Sequence, residues 1–182
     1  MHISTKYILI GLYIITWIIF VGVGIEAGGF ISNSFYAMVI SPTIVKDFWP
    51  GLDFSALYDY DKGQFLVVTF FMSIVAVLRA VMFYLIIRFL HNKKGSMTKP
   101  FNEDTRRFVL SLAIWSLFIG LFSHWGVEYR EWLTTKGIAI PDIQSLRLAG
   151  ADVWLFMAVI LFVITHVFKK GIELQTESEL TV

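Results

Sequence analysis

The stretch FLVVTFFMSIVAVLRAVMFYLIIRFL, residues 65–90, is apolar almost throughout, with Arg79 near its middle. As a helix it measures about 39 Å, enough to cross a hydrocarbon layer of about 30 Å. Working outward, Tyr7–Ile25 and Phe108–Trp125 are apolar runs of spanning length or close to it. Val153–Phe168 is shorter, so its helix is expected to begin before Asp152. The chain has 182 residues, 57% of them hydrophobic and 16% charged, and a mean hydropathy of +0.70, the composition of an integral membrane protein. The expected fold is all-α: a single domain over residues 1–182, an integral membrane four-helix bundle with helices at about 7–25, 65–90, 107–125 and 151–168. The first run is too long for a signal-peptide core, and GIEAGGF is a poor cleavage site, so it reads as a retained helix.

Basic residues near short loops resist translocation, and their distribution sets the orientation. Lys6, Arg88, Lys93, Lys94, Lys99, Arg106, Arg107, Lys169 and Lys170 fall on one side. The opposite loops mix Lys46, Lys62, Arg130, Lys136 and Arg147 with a surplus of carboxylates. Both termini, the tail 169–182 and the loop 91–106 are therefore expected in the cytoplasm, and loops 27–64 and 126–150 outside it. Tyr58, Tyr60, Trp49, Trp125, Tyr129, Trp132 and Trp154 gather near the outer boundary, as amphipathic rings do at headgroup level. FISNSFYAMVISPTIVKDFW, in the first outer loop, is too apolar for a solvated linker and is broken by Pro42 and Pro50. It is expected to carry the first helix outward and then fold back, with YDYDKG as the turn into the second helix.

A charge inside a bilayer costs at least about 2.5–3.5 kcal/mol, so Arg79 must face the bundle interior or a wet cavity. Counting at about 1.5 Å per residue from the basic boundaries puts Thr16 and Ser116 at its depth, with Asp152 and Glu26 about 10–15 Å further out. Thr16, Ser116 and freed backbone carbonyls are the expected acceptors, and Asp152 the best acidic partner. Arg79 then reads either as a buried helix-association residue or as a site for a ligand, lipid headgroup or anion. Further out, His124 and Glu128 stand four residues apart on one helical face, and Asp152 and Glu26 reach a similar height. Glu26, His124, Glu128 and Asp152 are thus a candidate ligand, metal or proton-transfer cluster, against ordinary charges at a helix–water boundary. Gly24 and Gly28 have the small-xxx-small spacing that lets helices approach closely.

The absence of cysteine excludes disulfides, thiolate metal sites and iron–sulfur clusters. No cofactor is expected: His91 and His166 lie near one boundary, but His91 falls outside the apolar run, a poor arrangement for haem. With no partnered nucleophile and no Gly-rich phosphate loop, no enzyme activity is expected.

Two stretches on the cytoplasmic side are more distinctive. In KPFNEDTRRFVLSLA, Pro100 and Phe101 precede a cap at Asn102, acids Glu103 and Asp104 occupy the first turn, and Arg106 and Arg107 follow at headgroup level. In the tail FKKGIELQTESELTV, Gly171 permits a break, and Thr176 with Glu179 matches a capping box too near the end to open a helix. Ile172, Leu174, Leu180 and Val182 are apolar anchors in an acidic peptide, suited to docking on a basic loop or a partner, against disorder as the ordinary state of a terminus. Pro100, Phe101, Asn102, Arg106, Arg107, Gly171, Leu174, Leu180 and Val182 are accordingly the candidate docking residues.

PFNEDTRR, the C-terminal motif and ALYDY before the second helix resemble the bacterial membrane family designated domain of unknown function 2975, over nearly the whole chain. That resemblance implies four transmembrane helices in a bacterial cytoplasmic membrane and no assigned activity. It also implies a partner, because such proteins are often encoded beside a small Cro/CI-like helix-turn-helix regulator. Three function classes follow. The favoured one is a membrane sensor that binds this regulator, with the lipid bilayer as its other partner and no direct nucleic-acid contact. The alternatives are an oligomeric channel or transporter for an ion or small solute, lined by Arg79 and the outer acids, and a metal-dependent membrane enzyme at His124, Glu128, Asp152 and Glu26.

Overall fold

A computed structural model describes residues 5–92 and 102–180. The helices are α1 (Thr5–Val39), α2 (Ser55–Tyr60), α3 (Lys62–Asn92), α4 (Glu103–Thr135) and α5 (Ala151–Leu180), with a 3₁₀ helix, Pro42–Asp47, after α1. Four of them, α1, α3, α4 and α5, are long and apolar enough to cross a membrane. They pack in chain order, α1 on α3, α3 on α4 and α4 on α5, and among the described residues no backbone approach joins α1 to α5. The expected four long helices are present, and they pack as an open row.

Each long helix outruns its apolar segment. α1 continues about 20 Å beyond Ile25, through Gly28 and Gly29 to Val39. It stops where Ser41 caps the 3₁₀ helix, accepting from the Thr43 amide, and Pro42 takes the first position, where a missing N–H costs nothing. The segment then folds back as expected. Phe30, Phe48, Phe54 and Phe65 are fully buried and meet largely edge to face, with Phe48–Phe54 centroids 5.1 Å apart and Phe54–Phe65 5.7 Å. Asn33 Nδ2 donates to the Phe48 carbonyl at 2.6 Å, and the Tyr58 hydroxyl donates to the Ala37 carbonyl at 3.1 Å, so the cap is tied to α1 by polar bonds as well. YDYDKG is the turn into α3: Asp61 Oδ1 accepts from the Gln64 amide at 2.8 Å.

Close approaches occur at glycines other than those the spacing suggested. Gly24 and Gly28 have open space where a Cβ would stand, whereas one at Gly29 would fall inside the Trp49 indole and one at Gly120 would meet Leu155 Cγ at 2.7 Å. At the end carrying the termini, Asn102 caps α4 as read, its Oδ1 accepting from the Thr105 amide at 2.8 Å. The tail differs. Gly171 lies inside α5, and Thr176 Oγ1 donates to the Ile172 carbonyl at 3.0 Å, so neither a break nor a new cap interrupts the helix before Leu180.

Candidate functional site

The helix registers fix which residues share a level. Tyr13 meets His91 and Phe20 meets Tyr84, so α1 runs antiparallel to α3, and continuing that register puts Glu26 opposite Leu78 and Arg79. The count along the sequence places Glu26 well above Arg79 because it sets Lys6 level with Arg88, whereas Tyr13, a residue seven further on, is the one that meets the end of α3 at His91. On α5 the level is reached almost at once: Arg79 Cζ stands 5.7 Å from the centre of the Trp154 ring, in that helix's first turn. α5 therefore begins deep, near the midpoint of α4, where Gly120 accommodates Leu155.

The loop before α5 follows it inward. Leu146 and Leu148 are fully buried, Leu148 against Gly126, and they hold Arg147 between them at φ 59°, a left-handed conformation costing a side-chain-bearing residue about 1 kcal/mol. So held, Arg147 Nε reaches Glu26 Oε1 at 3.1 Å. This ion pair joins α1 to the segment entering α5, across the side of the row where the helices themselves do not meet. Arg130 fixes the loop from the other side, donating to the carbonyls of Pro141 and Ile140 at 3.2 and 3.3 Å.

Arg79 itself is not bonded as the sequence suggested. Thr16 Oγ1 donates to the Leu12 carbonyl at 2.7 Å, and Ser116, fully buried, reaches Met82 Sδ at 3.8 Å. Both hydroxyls serve their own helix or its neighbour. Asp152 is exposed in the first turn of α5 and forms no ion pair with Arg79. Arg79 Nε is shielded from solvent with no hydrogen-bond partner among the described residues, and Ser123 Oγ is in the same condition. The ring of Trp154 is the contact the guanidinium makes. Sequence reasoning set Trp154 in the outer aromatic belt and Arg147 among the outer loop charges, and the structure brings both to this cluster. A register that sets Tyr13, and not Lys6, at the end of α3 brings Glu26 down to Arg79.

The outer quartet does not assemble. Glu26 is taken by Arg147, His124 and Glu128 lie exposed on α4, and among the described residues no group of three His, Asp or Glu side chains converges on a metal position.

At the termini end, Glu103 engages the arginines proposed for docking: Arg106 bidentately at 2.8 and 2.5 Å, and Arg107 at 3.2 Å. Between α3 and α4 lies a cleft of 470 Å³ lined by Arg88, Asn92, Asp104 and Arg107, with Phe89 and Phe108 stacked at 3.9 Å in its wall. On α5, Leu174 is 65% exposed, while Lys170 pairs with Glu173 at 3.2 Å. Pro100, Phe101 and Val182 lie outside the described residues, as does the side chain of Leu180.

Four long apolar helices, an ion pair at α1 and an arginine over a tryptophan ring define the class: a multi-pass membrane protein with a charge cluster among its spans. A family model described as a protein of unknown function (DUF2975) matches residues 35–182, and the chain belongs to that family. No curated protein and no solved structure matches it.

Proposed function

We infer that this protein is a bacterial membrane sensor that holds a soluble partner at its termini end, with both termini in the cytoplasm. The observation that carries the reading is the continuity of α5. One uninterrupted helix starts beside Arg79 at Trp154 and runs about 39 Å to Leu180. A helix of that kind moves as a rod, so a change in the charge cluster that tilts or rotates its first turn displaces Leu174 and the residues beyond. The cleft lined by Arg88, Asp104 and Arg107 supplies a charged surface at the same end. The resemblance to the family supplies the partner's kind, a small helix-turn-helix regulator, and regulation would follow from its retention at the membrane or release.

Deleting residues 172–182 tests the output. The truncated protein is expected to insert normally and to lose co-purification with a small helix-turn-helix regulator in a pulldown from the native cell; undiminished retention of that regulator contradicts the reading.

A further inference from the structure

A guanidinium carries five N–H donors and a charge that is not given up in proteins. For Arg79 none of those donors is hydrogen-bonded to a described residue, and Nε is closed off from solvent. A ring face offsets such a charge only in part, and the interior of a bilayer offers no bulk water to do the rest. The acid at its level, Glu26, is engaged by Arg147. Two guanidinium groups therefore share one carboxylate, and the cluster is left with a net positive charge. Its electrostatic complement is a monoanion. The planar fork of arginine matches the paired oxygens of a carboxylate or phosphate, which narrows the monoanion to an oxyanion.

The approach to the cluster narrows it again. α1 and α5 do not meet, and the residues flanking the charges in sequence, Ile25 on α1 and Val153 and Phe156 on α5, are apolar and at least 60% exposed. A molecule arriving from that side crosses hydrocarbon, so it carries an apolar chain.

We propose that Arg79, with Trp154 against its guanidinium and Arg147 beside Glu26, binds the oxyanion headgroup of an acyl-chain amphiphile admitted from the bilayer between α1 and α5. The proposal rests on the sensor reading in taking this cluster as the input site, and it names the ligand class. The oxyanion has two sources, the carboxylate of a free fatty acid and the phosphodiester of an anionic phospholipid, which separate experimental arms distinguish.

The full chain in a non-ionic detergent is titrated with oleate, with phosphatidylglycerol and with zwitterionic phosphatidylcholine, and read by native mass spectrometry and thermal unfolding. Wild type is expected to retain one or both anionic amphiphiles but not phosphatidylcholine, with a melting temperature raised by about 5 °C near saturation. Arg79→Gln should weaken retention at least tenfold, Trp154→Leu severalfold, and Lys46→Gln, in the remote 3₁₀ helix, not at all. Should Arg79→Gln fail to fold, Arg79→Lys keeps the charge without the fork and is expected to bind about tenfold more weakly. Retention of oleate alone assigns a carboxylate, of phosphatidylglycerol alone a phosphodiester, and of both the oxyanion as such. Binding of neither, equal binding of phosphatidylcholine, or equal binding by wild type and the Arg79 variants overturns the proposal. Amphiphile binding that survives while the regulator is held equally with and without residues 172–182 removes the sensor reading and leaves the site standing.

Discussion

Arg79 and Glu26 should respond to neutralisation in opposite directions. Arg79 has no hydrogen bond to lose among the described residues, so Arg79→Leu removes an intramembrane charge and is expected to leave thermal stability unchanged or raised. Glu26→Leu strips the half-exposed Arg147 of its partner and leaves two cations at one level, which is expected to cost about 1 kcal/mol in reversible unfolding from detergent micelles. Equal losses in the two variants would mean that Arg79 is held for packing and not for a ligand. The sequence exposed Arg79 as an anomaly, since a lone charge in an apolar run needs no structure to be noticed. It misplaced the partners, because depth counted from basic boundaries assumes that Lys6 and Arg88 lie at one level, and the meeting of Tyr13 with His91 shows that they do not.

At the scale of elements, the seam between α4 and α5 depends on Gly120, where any side chain would strike Leu155. Gly120→Val is expected to cost about 1–3 kcal/mol and to loosen Trp154 from Arg79, measured as lower thermal stability and a shifted tryptophan emission. The loop that carries Arg147 has its own pH response. Asp142 accepts from the Ser145 hydroxyl, then from the backbone amides of Ser145 and Gln144, which lowers its carboxyl from the ordinary value of 3.8. The folded pKa being the lower one, the stabilisation is complete above that ordinary value and is lost as pH falls through the folded pKa. Below about pH 4 the melting temperature of wild type should fall more steeply than that of Asp142→Asn; parallel curves would show that the turn does not depend on the anion. The cap at Asn102 and the YDYDKG turn were legible because they act within a few residues. The continuity of α5 was not. Gly171 is a poor helix former, and its cost of about 1 kcal/mol was outweighed by the turns on either side of it.

For the whole molecule, composition and hydropathy sufficed for four apolar helices, and they are what the structure contains. The open row was beyond reach of the sequence, since which apolar faces meet protein and which meet lipid leaves no trace when both are hydrophobic. Topology can be mapped without background, because the chain has no cysteine. A thiol at Ser96 is expected to react only from the cytoplasmic face and one at Thr135 only from outside; the reverse pattern would invert the assignment of input and output. The most direct measurement is the distance between spin labels at Leu174→Cys on α5 and Ser111→Cys on α4, in nanodiscs with and without an anionic amphiphile. A distance distribution that shifts on binding in wild type and stays fixed in Arg79→Gln is the predicted result, and an unmoved distribution in wild type with the amphiphile bound would contradict the coupling of cluster to tail.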